Sequence, residues 1–442
     1  MHDEHGSGGL HRALALGLLG LLGLAVLAGL ALAAWLSYAA LPPAALFGTV
    51  RTPSIHDTAS ALTAEIDQLY SIVFWISAII LVGVEAAILI ALFKFRQREG
   101  NLEPPQWHGS NLLEVTWTII PAVLVIGVGV LSFSSMRANY ASMPADEDAL
   151  VVDATGQQWW WAFAYREPSF TTATELVVPV GRPVKVYLES VDVVHAFWAP
   201  ELAVKFDAVP GRRDGGYGQN VVWFNAVRAG RYEGQCAELC GTQHAGMRFT
   251  VIAVEEAAYQ AWAAAMAEAP EAPAEDEDSA AWRGFRAVQE RGCQGCHMID
   301  GIETMIGVQG PNLTRVATRS FVAGGVIPNT HADLTAWISN PESRKVGTKM
   351  TPMGLTDAEI ADVIAYFETL ALDPAIMQPI LAAEPRPGNV PAAYAGLVEP
   401  LDARDYPPLG GEEHGDEDEA AQEEDAEAHA PAEDAETLEG TP

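Results

Sequence analysis

The sequence predicts a multidomain membrane protein: a transmembrane helical hairpin, an all-β domain, a small all-α domain and a disordered acidic tail. Three observations predict it. Two apolar runs are long enough to cross a bilayer, which takes about 20 helical residues. Alternation of apolar and polar residues, the signature of half-buried strands, follows them. Helical periodicity then returns beyond a stretch rich in Pro, Ala and acids.

The hairpin, placed at 51–140, comes from "YSIVFWISAIILVGVEAAILIALF" (70–93), broken only by Glu85, and from the uncharged run 115–136. Lys94, Arg96 and Arg98 crowd the connecting loop, so the positive-inside rule puts that loop in the cytoplasm and everything after Met136 outside. A further uncharged run, Ala13 to Val50, lies upstream. Arg12 precedes it and "ALA" at 31–33 offers a cleavage site, but its apolar core exceeds the 7–15 residues usual in a signal peptide. Residues 1–50 therefore read either as a signal peptide or as an additional transmembrane segment. Both deliver the next segment to the outer side.

Residues 145–260 carry the β pattern. "ELVVPVGRPVKVYLES" (175–190) alternates around a Gly-Arg-Pro turn and reads as a hairpin, while "QNVVWFNAV" and "MRFTVIAV" continue the style. The whole suggests a sandwich or Greek-key barrel. A linker is expected at 261–281 and an α domain at 282–371, whose last helix opens with a capping box from Thr356 to Glu359. Residues 372–442 are Pro-rich and then acidic. The final 32 positions hold fourteen Asp and Glu without a Lys or Arg, a composition that stays solvated. The net charge of −33 disfavours nucleic acid as a partner.

The four cysteines fall in two tight pairs. An even count in an exported chain is compatible with disulfides, but each pair sits beside histidine in a spacing suited to a metal or haem. "GQCAELCGTQHAGM" (234–247) collects two thiols, an imidazole, a thioether and a glutamate. Such a set suits copper, zinc or iron. A thioether is a poor zinc ligand, and a single blue-copper site would use one cysteine with two histidines. "VVHAFWAP" supplies the second histidine, His195. "CQGCH" (293–297) is a c-type haem attachment motif: Cys293 and Cys296 add to the vinyl groups, and His297 ligates the iron.

"VHAFW", "KFDAVPGR" and "GQCAELCGTQHAGM" together resemble the copper domain of cytochrome c oxidase subunit II. The resemblance implies a cupredoxin-like fold holding a binuclear CuA centre. Cys236 and Cys240 would bridge the coppers, with His195, His244, Met247 and the backbone carbonyl of Glu238 as further ligands. It also implies a magnesium ion at the subunit I interface through Glu238. "GQQWWWAFAY" resembles the family's aromatic strand and makes Trp159 the residue that receives electrons. "LEVTWTIIPA" resembles the start of its second transmembrane helix and makes Glu114 the entrance of a proton path. Read without the family, Trp159 is ordinary strand packing and Glu114 an interfacial carboxylate.

The helical domain resembles the cytochrome c domain fused to caa-type oxidase subunits. "GPNLTRVATR" matches the segment in which Pro311 packs near the proximal histidine. Of five methionines, Met298 adjoins that histidine, Met305 follows within eight residues and Met377 lies past the last helix. The remaining loop, "GTKMTPMGLTD", is where the family places its distal ligand. The resemblance selects Met350, and Met353 is the alternative.

The implied function is that of a haem-copper oxidase subunit. Electrons from a soluble donor pass through haem c and CuA to haem a of subunit I, where oxygen is reduced and protons are pumped. Its place is the bacterial cell membrane, with both metal domains extracytoplasmic and other oxidase subunits as partners. The alternative is the corresponding subunit of a CuA-containing nitric oxide reductase.

Overall fold

The computed structural model describes residues 55–96, 109–211 and 219–383. The 1–50 segment, most of the cytoplasmic loop and the acidic tail lie outside the described residues.

Two long apolar helices come first, α1 (Ala61–Lys94) and α2 (Asn111–Ala141). At 34 and 31 residues both exceed what a bilayer needs, and almost all of their apolar side chains face outward. An unpaired helical face of that composition is stable only against lipid or another membrane helix. Ser60 caps α1 by accepting from the Thr63 amide, which explains a start nine residues before the apolar run. The outer ends are pinned to the β-domain. Ser60 Oγ donates to Leu202 O at 2.6 Å, Thr63 Oγ1 to Glu201 O at 2.9 Å, and Trp223 Nε1 to Asn139 O at 3.1 Å. The loop end, with Lys94, is therefore the far end, as the charge rule requires.

Ten strands follow as two five-stranded sheets. They are β1 (Leu150–Gln157), β2 (Trp160–Tyr165), β3 (Phe170–Ala173), β4 (Glu175–Pro179), β5 (Val184–Ser190), β6 (His195–Trp198), β7 (Phe206–Ala208), β8 (Asn220–Phe224), β9 (Gly230–Cys236) and β10 (Arg248–Val254). The first sheet runs β3-β2-β1-β5-β8 and the second β4-β10-β9-β6-β7. Here the sequence-based hairpin at 175–190 is corrected. β4 pairs with β10, whereas β5 pairs with β1 and β8, so Gly181 carries the chain from one sheet to the other. The reason is burial: all five residues of β4 are buried, so this strand has no solvent face to keep. The core between the sheets is aromatic. Phe197 stacks on Phe249 with centroids 4.5 Å apart, and Trp161 meets both edge-on.

Helix α3 (Glu256–Ala267) takes up the start of the expected linker and buries Tyr259 and Trp262 against the β-domain. The helical domain is built on α4 (Ala280–Glu290), a short hairpin of β11 (Phe321–Val322) and β12 (Ile327–Pro328), α5 (His331–Ser339), α6 (Pro341–Arg344) and α7 (Asp357–Thr369). The capping box of α7 forms as expected. A second correction concerns 372–442. Its first part is not featureless, because α8 (Pro374–Ala382) buries Met377, Ile380 and Leu381 in the core of the β-domain.

The β-domain and the helical domain touch directly. Arg231 lies buried between them, donating to Glu175 at 3.2 Å and to Ser320 Oγ at 3.0 Å, while the Ser320 amide donates to the same Glu175 carboxylate. Arg248 N donates to Gly324 O at 2.8 Å.

Candidate functional site

Strand β9 ends on Cys236, a tight loop carries Glu238 and Cys240, and a 3-10 turn (His244–Gly246) leads to Met247 at the head of β10. Because β6 pairs with β9, His195 at the start of β6 is brought beside the loop although forty-one residues separate it from Cys236. All six sequence-predicted ligands converge. Cys236 Sγ lies 3.7 Å from Cys240 Sγ, 3.8 Å from His195 Nδ1 and 3.2 Å from Glu238 O. Cys240 Sγ lies 3.6 Å from His244 Nδ1 and 3.9 Å from Met247 Sδ.

These distances test the site. Both cysteines are free, and 3.7 Å is far beyond a disulfide's ~2.05 Å. Ligands at ~2.0–2.3 Å from a tetrahedral ion sit roughly 3.3–3.8 Å apart, the spacing seen here. One tetrahedral ion takes about four donors. The loop and His195 offer six, with an imidazole near each thiol, so a pair of metals sharing the thiols accommodates the set better than one ion.

The surroundings prepare these groups. His195 is fully buried, and its Nε2 donates to Asp192 Oδ1 at 2.8 Å, which turns Nδ1 toward Cys236. The hydrogen bond between the two thiols holds Cys236 below its ordinary value and pushes Cys240 above it. Thiolate coordination requires both deprotonated, so metal binding would release any proton the pair holds.

The second centre is an open cleft lined by Cys293, Cys296, His297, Met350 and Met353. His297 Nδ1 donates to Pro311 O at 2.8 Å, which leaves Nε2 as the free lone pair. Burial pulls the His297 pKa down and so favours the neutral ring, the form a metal ligand needs. Gly310 makes the seat, since a Cβ there would come within 2.5 Å of the ring. The other methionines are committed elsewhere: Met305 to the helical core, Met377 to the β-domain core, and Met298 beside Asn312 Nδ2 at 3.7 Å. Neither Arg315 nor Arg319 lines the cleft. Arg315 donates to Leu370 O and Glu268 O, and Arg319 to Asn312 O.

Trp159 belongs to both centres. It occupies the β1–β2 turn, not a strand, and its Nε1 donates to Cys240 O at 3.1 Å while the residue also lines the cleft. Gln158 Nε2 reinforces the same carbonyl at 2.7 Å. Sequence reasoning missed Gln158, Asp192 and Lys345. For Asp192 a signal existed, a carboxylate three residues before a ligand histidine; for Lys345 there was none.

Glu114 lies apart, in the first turn of α2 at the loop end of the hairpin, and Glu85 faces outward from α1.

Comparison with known proteins agrees with this architecture. The chain matches the family models for the transmembrane domain of cytochrome c oxidase subunit II over residues 49–135, its periplasmic domain over 168–254, and cytochrome c over 281–371. It is 35% identical over 303 residues to cytochrome c oxidase subunit 2 of Alkalihalophilus pseudofirmus, covering 67% of this chain and 84% of that protein. The corresponding protein of Bacillus subtilis is 31% identical over 290 residues, covering 62% and 79%. Among solved structures, the periplasmic domain of subunit II of the Bradyrhizobium japonicum oxidase is 34% identical and covers 28% of this chain and 96% of its own, with a TM-score of 0.26. With its hairpin, its copper-type loop and its haem-attachment motif on one polypeptide, the chain belongs to the cytochrome c oxidase subunit II family and carries a fused cytochrome c domain.

Proposed function

We propose that this chain receives electrons from a soluble donor at haem c, passes them through Trp159 to CuA, and delivers them to haem a of subunit I for the reduction of oxygen. The observation that carries this reading is the double membership of Trp159. One indole donates to the carbonyl of Cys240 and also forms a wall of the cleft holding the haem-attachment cysteines. No diffusional step is then needed between the two centres, because the tether and the interface hold them together.

When bound, the coppers and the haem supply one-electron carriers; the chain supplies their setting. Cys236, Cys240, His195, His244, Met247 and the Glu238 carbonyl would hold the coppers. Asp192 holds the His195 ring in place through its Nε2. His297, with its tautomer set by Pro311, and Met350 would hold the haem iron. The part-exposed carboxylate of Glu238 is the group that would meet magnesium at the subunit I interface. Glu114, at the cytoplasmic end of α2, is the proton-path entrance. The domain division follows: hairpin 51–140, copper domain 145–260, cytochrome c domain 282–371.

Purification of the complex from native membranes tests the reading. Two coppers and one covalent haem c per chain, with turnover on oxygen, are expected. Zinc in the loop, or turnover on nitric oxide alone, refutes it.

A further inference from the structure

Lys345 follows α6 and is 5% exposed, yet none of its contacts is a carboxylate. Its Nζ donates to Trp159 O at 3.0 Å, Gly246 O at 2.7 Å and Ala323 O at 2.8 Å. An ammonium has three donors, and all three are used. The acceptors are spread over both domains. Trp159 touches Cys240 and lines the cleft, Gly246 directly precedes Met247, and Ala323 belongs to the β11–β12 hairpin that forms the cleft wall. The socket is cut to size. A Cβ on Gly324 would lie 2.3 Å from Trp159 O and 2.7 Å from Lys345 Nζ. Four residues on, Lys349 lies 6.0 Å over the Trp159 ring and 3.5 Å from Asp192, the residue that orients His195.

A buried ammonium paired with no carboxylate adds little net stability, because its desolvation offsets the hydrogen bonds it makes. What the cation adds is direction, since only a donor at that point satisfies three carbonyls from two domains together. We propose that Lys345 is a positioning residue for electron transfer within the chain, holding the haem-binding cleft on the copper loop so that Trp159 spans both. The proposal rests on the electron route above. The transfer is of a single electron, the haem domain oxidised by one equivalent and the copper domain reduced by one, and Lys345 exchanges neither electron nor proton. Burial lowers the Lys345 pKa to about 7, and the nearby Cys240 sulfur opposes that change.

The test uses the intact complex with Lys345→Met and Lys345→Arg. Three readouts are taken: the optical and paramagnetic signals of each centre, the rate of internal transfer after rapid reduction of haem c, and amide exchange at Arg248, whose N–H bonds to Gly324 O across the interface. Leaving these carbonyls without their donor weakens docking by about tenfold or more. In Lys345→Met both signals should persist, internal transfer should slow by about tenfold or more, and Arg248 exchange should rise by a similar factor. Lys345→Arg should recover part of both. Should Lys345→Met lose either centre, Gly324→Ala wedges the same contact with Lys345 in place and should give the same two changes. Wild-type transfer and exchange in the intact variant overturn the proposal. Absence of haem-to-copper transfer in the wild-type complex would instead refute the electron route on which it rests.

Discussion

Replacing Gly284 by alanine adds one methyl group where α4 crosses α7, and the structure fixes what it meets. The new Cβ would lie 1.9 Å from Asp362 O, 2.4 Å from Asp362 C and 2.9 Å from Val363 N. Ordinary contact begins near 3.4 Å, so the helices must part by about 1.5 Å. The obstacle is main chain, which has no rotamer to escape into. Two effects compete. Alanine is better than glycine within a helix by about 1 kcal/mol. Overpacking costs ~1–3 kcal/mol, and a rigid obstacle places this site at the upper end. Parting the helices also loosens Ala287 and Val288 from Ile360, Val363 and Ile364, and a gap of about 1 Å forfeits up to half of such dispersion. The clash wins by about 2 kcal/mol. For a domain of this size that lowers the melting temperature by roughly 8–16 °C. Thermal unfolding of the detergent-solubilised chain, followed by far-ultraviolet dichroism and haem absorbance, measures it. A melting temperature equal to or above wild type would refute the reasoning, because helix propensity would then outweigh the crossing.

Cys240→Ser should abolish copper binding and leave the covalent haem in place, since the proposed function assigns the two cysteine pairs to different centres. Metal analysis and a haem stain of the denatured chain check this, and joint loss would contradict it. Met350→His should remove the methionine–iron absorption band and lower the haem potential, because a thioether favours reduced iron. Met353→Leu should retain the band, and the opposite pattern would reassign the ligand. Arg231→Met leaves Glu175 buried with the Ser320 amide as a remaining donor. A destabilisation of about 3 kcal/mol is expected from the uncompensated charge, and Arg231→Met with Glu175→Leu should recover most of it in denaturant unfolding.

Much of this protein is written in short stretches of its sequence. The spans of the hairpin depend only on runs of apolar residues and on where Lys94 falls. The haem cysteines and His297 lie within five positions because attachment is local chemistry. The proposed ligands from Cys236 to Met247 occupy one loop for the same reason, and the capping box of α7 needs only Thr356 and Glu359 three residues apart.

Closure over distance was decided by the tertiary structure. Alternation in 175–190 was read correctly as strands, but their partners β10, β1 and β8 lie far along the chain, so a crossing between sheets looked like a hairpin. The apolar residues of α8 lacked a visible purpose until the β-domain offered them a surface. His195 could be proposed as a ligand from its type, while the Asp192 contact that aims it depends on the packing of β6. Lys345 is the extreme case. A lone lysine in a loop is ordinarily solvated, and only the convergence of Trp159, Gly246 and Ala323, from two domains, turns it into a buried donor. Backbone carbonyls carry no residue-type signal, so contacts made through them appear only when the chain has folded.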